Sequence, residues 1–311
     1  LWRIDYAEGV IKRGLLGTLF RGGAELLGLT PSLALVPGVH LGLLAAAVIA
    51  AAALLRLAWR RAGADPTRRR SVALLAVFLA GAPVLPTLAM LTGYPDSALI
   101  ALFLGCALLA ARERPAGAAL LALPGPLLHE GFAFLWGPLA LWLMWQRPGP
   151  RALGWGLLPL AGTAGVLLAH DPAAVEAVLA RPGLDPQRAA TLRAVQFGQT
   201  LPEALARMGT FYAAHWGNVL KALPYFLLPL ALALLLARTG RSGDRADRQA
   251  VTAAVLLGAA APLAILALAW DLSRFLNWAV LSGWTLGLLT LAAGWARADA
   301  ESGPAAAPAP G

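Results

Sequence analysis

The chain has 311 residues, 59 % hydrophobic and 13 % charged, where an ordinary soluble domain carries about 45–50 % apolar and about 25 % charged residues. That imbalance and a mean hydropathy of +0.68 exclude a soluble globular protein. Solid apolar runs of about twenty residues exclude a β-barrel, whose strands alternate polar and apolar positions.

Taken in chain order, residues 1–37 read as an external loop. It opens Trp2-Arg3-Ile4-Asp5-Tyr6-Ala7-Glu8 and continues with Lys12-Arg13-Gly14. Ile11, Leu15, Leu16, Leu19 and Phe20 share one helical face opposite Lys12, Arg13 and Arg21, the pattern of a short juxtamembrane helix. Nine membrane spans are expected, at about 38–59, 71–92, 97–111, 116–128, 131–146, 152–169, 219–237, 250–270 and 276–295. An external N-terminal segment without a signal-peptide pattern implies a preceding span, which makes ten with both termini inside. The runs 97–111 and 116–128 are short, so their helices should stop below the interface and leave a cavity opening outward.

Residues 170–218 read as an external helical loop. Asp171-Pro172, Asp185-Pro186 and Thr200-Leu-Pro-Glu203 are helix-start signals, and Leu201, Leu205, Met208 and Tyr212 repeat at helical spacing. Residues 298–311, rich in Ala and Pro after Gly303, read as a disordered cytoplasmic tail. The fold class is therefore an all-α polytopic membrane protein, with one membrane-embedded helical domain over 1–297 and external juxtamembrane helices.

Charge orients the spans. Alternate loops hold fifteen cations against six acids and the opposite loops hold ten of each, so the whole net charge of +9 lies on one side. The positive-inside rule assigns that side to the cytoplasm, and the basic balance is topology rather than nucleic-acid binding. The one cysteine, Cys106, lies in an apolar run and supports neither a disulfide framework nor a clustered-cysteine metal site.

Ionisable groups near apolar spans are expensive to keep there, so they carry information about function. Four clusters qualify, all on the external side. They are Asp5 and Glu8 with Lys12 and Arg13; Asp96 in Gly93-Tyr94-Pro95-Asp96-Ser97; His129-Glu130-Gly131; and Asp271 with Arg274 in Trp270-Asp271-Leu272-Ser273-Arg274-Phe275. Each has a plainer reading. Asp96 and Asp271 can cap helices, Asp271 and Arg274 can form a local ion pair, His129 and Glu130 can be a packing pair, and Lys12 and Arg13 can touch lipid head groups. Taken jointly, the acids with adjoining bases collect on a face whose net charge gives no reason for them.

His129-Glu130 begins like a zinc-protease helix, but position 133 is Ala where the second histidine would stand. The chain has neither G-x-x-x-x-G-K-[ST] nor G-x-G-x-x-G, which argues against a nucleotide-driven pump.

The arrangement resembles the GT-C class of polyprenyl-phosphate-dependent glycosyltransferases. There, an acid in the first external loop beside juxtamembrane helices works with acidic or histidine motifs in later external loops. Lys12-Arg13-Gly-Leu-Leu-Gly17, His129-Glu130 and Asp271-x-x-Arg274 also look like features of bacterial membrane polysaccharide polymerases. The resemblance implies transfer of a sugar from a polyprenyl-phosphate-linked donor to a glycan or lipid acceptor, outside a bacterial-type cytoplasmic (inner) membrane. On this reading Asp5, then Glu8, takes the acceptor proton, and Lys12, Arg13 and Arg274 stabilise the leaving phosphate. Asp96 orients sugar hydroxyls or holds a divalent metal (Mg or Mn) with Asp5, and His129, Glu130 and Asp271 bind substrate. A carrier or flippase of lipid-linked sugars is the competing reading, since intramembrane acids and histidine also serve proton relays.

Overall fold

The computed structural model describes residues 14–30, 32–91, 94–169, 171–180, 187, 201–217, 245–267 and 272–301, with scattered positions between 220 and 235. Asp5, Glu8, Lys12, Arg13 and Asp271 lie outside them, as does most of the expected span 219–237. The described residues are helical and contain no strand.

The first helices are α1 (Gly14–Leu26), α2 (Val36–Arg61), α3 (Pro66–Gly81) and α4 (Val84–Met90). They are followed by α5 (Asp96–Ala111), α6 (Pro115–Ala122), α7 (Pro124–Leu128), α8 (Phe132–Gln146) and α9 (Pro150–Leu168). The last four are α10 (Pro172–Leu179), α11 (Leu201–Ala214), α12 (Arg245–Ala264) and α13 (Leu272–Glu301).

Local chemistry sets many of these boundaries. Asp65 caps α3 by accepting from the backbone N–H of Thr67 at 2.7 Å and of Arg68 at 3.3 Å, with Pro66 at the first turn. Asp171 does the same for α10, accepting from Ala173 N–H at 2.8 Å. Proline, which breaks the helical hydrogen-bond ladder, divides two of the expected spans. The run 71–92 splits at Ala82-Pro83 into α3 and α4, and the run 116–128 splits at Leu123-Pro124 into α6 and α7.

Among the described residues, four segments are long and apolar enough to cross a membrane: Val36–Arg61, Pro66–Met90, Pro150–Leu168 and Arg274–Glu301. Asp96–Ala111, Pro115–Leu128, Phe132–Gln146 and Gln249–Ala264 are shorter apolar helices. At ~1.5 Å per residue, the 16 residues of α5 reach roughly 24 Å, less than a hydrocarbon core of about 30 Å. The last helix runs to Glu301, so the segment from 298 read as tail begins in helix.

α13 is the axis of the bundle. In its apolar window 83 % of residues are buried, against 22 % for α2 and for α9. The outer helices instead turn Leu41, Ile49, Val77 and Leu157 outward, as a lipid-facing surface requires. Trp284 Nε1 on α13 donates to Leu75 O on α3 at 3.0 Å, and Trp142 Nε1 on α8 donates to Thr290 Oγ1 on α13 at 3.0 Å. Trp136 Nε1 on α8 reaches Gly156 O on α9 at 2.8 Å. Each of these three buried indole N–H groups thus finds an acceptor on a neighbouring helix, which fixes register as well as burying area. α12 and α13 cross where both carry glycine: a Cβ on Gly258 would sit 2.8 Å from Ser282 O, and one on Gly283 would sit 3.0 Å from Val255 O.

Side-chain contacts give the helix directions. His40 meets Ser97 near the starts of α2 and α5, and Arg61 donates to Ala111 O at 2.6 Å where the same helices end. Asp96 meets Arg274 at the starts of α5 and α13, and Arg297 donates to Gln146 Oε1 at 2.7 Å near the ends of α13 and α8. α2, α5, α8 and α13 therefore run parallel, with their N-terminal ends together. At their C-terminal ends Arg68 pairs with Asp299 and Arg147 with Glu113, both at 2.8 Å, so the arginine-rich loops gather there.

Candidate functional site

At the N-terminal end of those four helices the structure brings together Asp96, His129, Glu130 and Arg274, which come from three separate stretches of chain. Asp96 is the first residue of α5 and Arg274 lies in the first turn of α13. The Asp96 side chain is 0 % exposed and that of Arg274 is 7 % exposed. Asp96 Oδ1 accepts from Arg274 Nε at 2.5 Å and from Trp278 Nε1 at 2.8 Å. Arg274 and Trp278 are one helical turn apart on the same face, which is how one carboxylate oxygen receives both.

The guanidinium is also walled by rings. Its Cζ lies 5.4 Å from the centroid of Tyr94, 5.6 Å from Phe275 and 5.3 Å from Trp278. Aromatic faces carry negative partial charge and stabilise a cation removed from water. Arg274 is thus held in one geometry by a carboxylate and three aromatic side chains.

Trp278 also joins the histidine to this group. α7 ends at Leu128, and His129 caps it in extended backbone, its N–H donating to Gly125 O at 2.9 Å. The His129 ring meets Trp278 edge-on, with centroids 6.2 Å apart. Its Nδ1 accepts from Gly131 N–H at 2.9 Å, which places the proton of the neutral ring on Nε2. Glu130 Oε2 lies 3.6 Å from the same Nδ1, too far for a hydrogen bond, so the backbone contact sets the tautomer. Gly131 permits this packing: a Cβ there would stand 3.0 Å from His129 Nδ1 and 3.3 Å from Trp278 Cζ3.

Arg274 pairs with Asp96 across 178 positions, and Asp271, its expected i,i+3 partner, lies outside the described residues. The N-cap of α5 is Pro95, so Asp96 stands one residue inside the helix and its carboxylate serves Arg274 and Trp278. The residues between Trp2 and Arg13 precede α1 directly, and α1 packs against α7, the helix that ends beside His129.

One buried polar residue escaped the sequence reading. His40, in the first turns of α2, is 2 % exposed, and its Nδ1 lies 3.2 Å from Oγ of the buried Ser97, the neighbour of Asp96. A histidine inside an apolar run is the signal that could have found it. Among the described residues, no three His, Cys, Asp or Glu side chains are grouped as metal ligands.

Comparison with known protein families, with characterised proteins and with solved structures finds no match to this chain.

Proposed function

We propose that the chain is an integral membrane glycosyltransferase. It moves a sugar from a polyprenyl phosphate or diphosphate to a glycan or lipid acceptor at the external face. The observation that carries this reading is the convergence of Arg274, Asp96, His129 and Glu130 at the bundle end opposite the arginine-rich loops. In a bilayer the positive-inside bias puts the arginine-rich end in the cytoplasm and the cluster outside, and about nine spans satisfy the charge partition.

Arg274 supplies a fixed positive charge at membrane depth, and four parallel helices add the positive ends of their dipoles. Both stabilise a leaving phosphate more as its charge grows, which lowers the barrier rather than merely binding substrate. In the transfer step the acceptor oxygen bonds to the anomeric carbon while the bond from that carbon to the phosphate oxygen breaks. The bonding electron pair leaves on the phosphate, and the acceptor proton passes to a carboxylate. Asp5, then Glu8, is the proposed base, in the segment leading into α1. Lys12 and Arg13 supplement Arg274 on the phosphate. Asp96 positions Arg274, His129 and Glu130 hold sugar hydroxyls, and Asp271 joins them. Asp96 is buried and committed to Arg274 and Trp278, which does not fit a divalent metal held jointly with Asp5, and no step of the transfer is routed through one.

The interruptions at Ala82-Pro83 and Leu123-Pro124 favour one alternative, a carrier of lipid-linked sugars, because transporters build sites from broken helices. Binding of a polyprenyl-phosphate sugar to the purified full-length chain tests the role of Arg274. Asp96→Asn combined with Arg274→Gln keeps the buried hydrogen bonding neutral and should weaken binding by about ten- to hundredfold. Unchanged affinity in that folded variant removes Arg274 from phosphate recognition.

A further inference from the structure

The far end of the bundle carries a feature that the proposed transfer does not use. A cleft of about 420 Å³ lies where α8 ends, α9 begins and α6 starts. Its walls include Pro115, Leu143 and Trp155, and Arg147 and Arg151 supply its charge. We infer that this cleft binds the phosphate head group of an anionic glycerophospholipid.

Charge is the first argument. The two loops that meet here, 112–114 and 147–151, contain Arg112, Arg114, Arg147 and Arg151 against the single acid Glu113. Glu113 engages one nitrogen of Arg147, Nη2, at 2.8 Å, and its own side chain is 67 % exposed. Arg151 belongs to the first turn of α9, where helix N–H groups and the dipole also favour an anion. The site is therefore cationic after its one ion pair is counted.

The surroundings decide between a lipid and a soluble phosphate. Leu158 on α9 and Leu120 on α6 are exposed apolar side chains. Leu158 lies seven residues, two helical turns, beyond Arg151 and Trp155 lies one turn beyond it, so exposed apolar surface continues along the same face of α9 as the charge. Trp155 stands at that boundary, where membrane proteins concentrate indoles. A head group in the cleft sends its acyl chains down this apolar face, whereas a free phosphate leaves the face unused. Basic pockets between helices at the membrane surface hold anionic head groups by this combination of point charge and apolar contact.

The inference is independent of sugar transfer, and its test reads lipid binding alone. The full-length chain, purified in a neutral detergent, is titrated with palmitoyl-oleoyl phosphatidylglycerol or phosphatidylcholine, and bound lipid is counted by native mass spectrometry. Phosphatidylglycerol should bind about tenfold or more tightly than phosphatidylcholine, and Arg151→Glu should remove that preference while leaving the Arg147–Glu113 pair in place. Glu113→Gln should preserve or raise it, because it frees Arg147. Arg70→Glu changes the same charge outside the cleft and should leave the preference intact. Equal loss in Arg70→Glu and Arg151→Glu shows diffuse surface attraction and overturns the site. So does retention of the preference in Arg151→Glu, or glycerol 3-phosphate binding as tightly as the lipid.

Discussion

Arg274 and Asp96 are buried together, and the stability of each depends on the other. Removing one partner of such a pair strands a charge away from water, at a cost of about 3–5 kcal/mol. Asp96→Asn and Arg274→Ala should each lower stability by that amount in an unfolding titration in mixed micelles. Asp96→Asn with Arg274→Gln should lose clearly less than the sum of the two. Trp278→Phe keeps most of the apolar volume and removes one donor to Asp96, so it should cost about 1–3 kcal/mol. Additive losses across the double variant would mean that the two side chains do not share an interaction. Asp96, His129, Glu130 and Arg274 each stood out in the sequence as charge or histidine beside apolar runs. Their pairing did not, because 178 positions separate Asp96 from Arg274 and local spacing offers Asp271 as the nearer partner. The pairing of His40 was illegible for a related reason: its polar neighbour Ser97 comes from another helix.

At the scale of elements, apolar runs and prolines located most helices, and packing decided how they break and cross. The short α5 follows from its composition, whereas α3 starts at Pro66, ahead of the expected start at 71, because Asp65 caps it. What the runs did not reveal is that proline would divide two of them into helix pairs, or that the last apolar run would become the axis. Hydropathy alone does not separate a helix buried in protein from one facing lipid, since both environments favour apolar side chains. The Gly258–Gly283 crossing shows what does. Gly258→Ala should destabilise the α12–α13 pair by about 1–3 kcal/mol, because the new methyl meets backbone at 2.8 Å and backbone cannot rotate away. Gly154→Ala in α9 meets nothing within 4 Å and should be neutral or stabilising by about 0.5–1 kcal/mol. Melting temperatures of the two variants, measured side by side, decide the matter. Equal effects would dismiss the close crossing. Tyr212 on α11 makes a smaller tertiary tie: its phenol, whose pKa burial raises above 10, donates to Leu266 O at 2.9 Å. Met208 of the same stripe is buried while Leu205 is exposed, so the stripe packs only in part.

At the scale of the whole molecule the account requires that the two ends of the bundle face opposite sides of a membrane. Cys106 is buried, so single cysteines can be introduced over a quiet background. Arg70→Cys should be shielded from an impermeant thiol reagent in intact cells, and Gln187→Cys should react. The reverse pattern would move the Asp96–Arg274 cluster to the cytoplasm. The expected orientation rests on how unequally cations and acids divide between alternate loops. The central claim remains chemical: the cluster serves bond formation rather than passage of a solute. Its most direct test is sugar transfer by the full-length chain in proteoliposomes, using a panel of polyprenyl-phosphate sugars and a membrane lipid extract as acceptor. The account predicts a glycosylated product with at least one donor and a fall in turnover of roughly 10²–10⁴ in Asp5→Asn. Movement of the lipid-linked sugar across the bilayer, with no glycosidic bond formed from any donor, would contradict it.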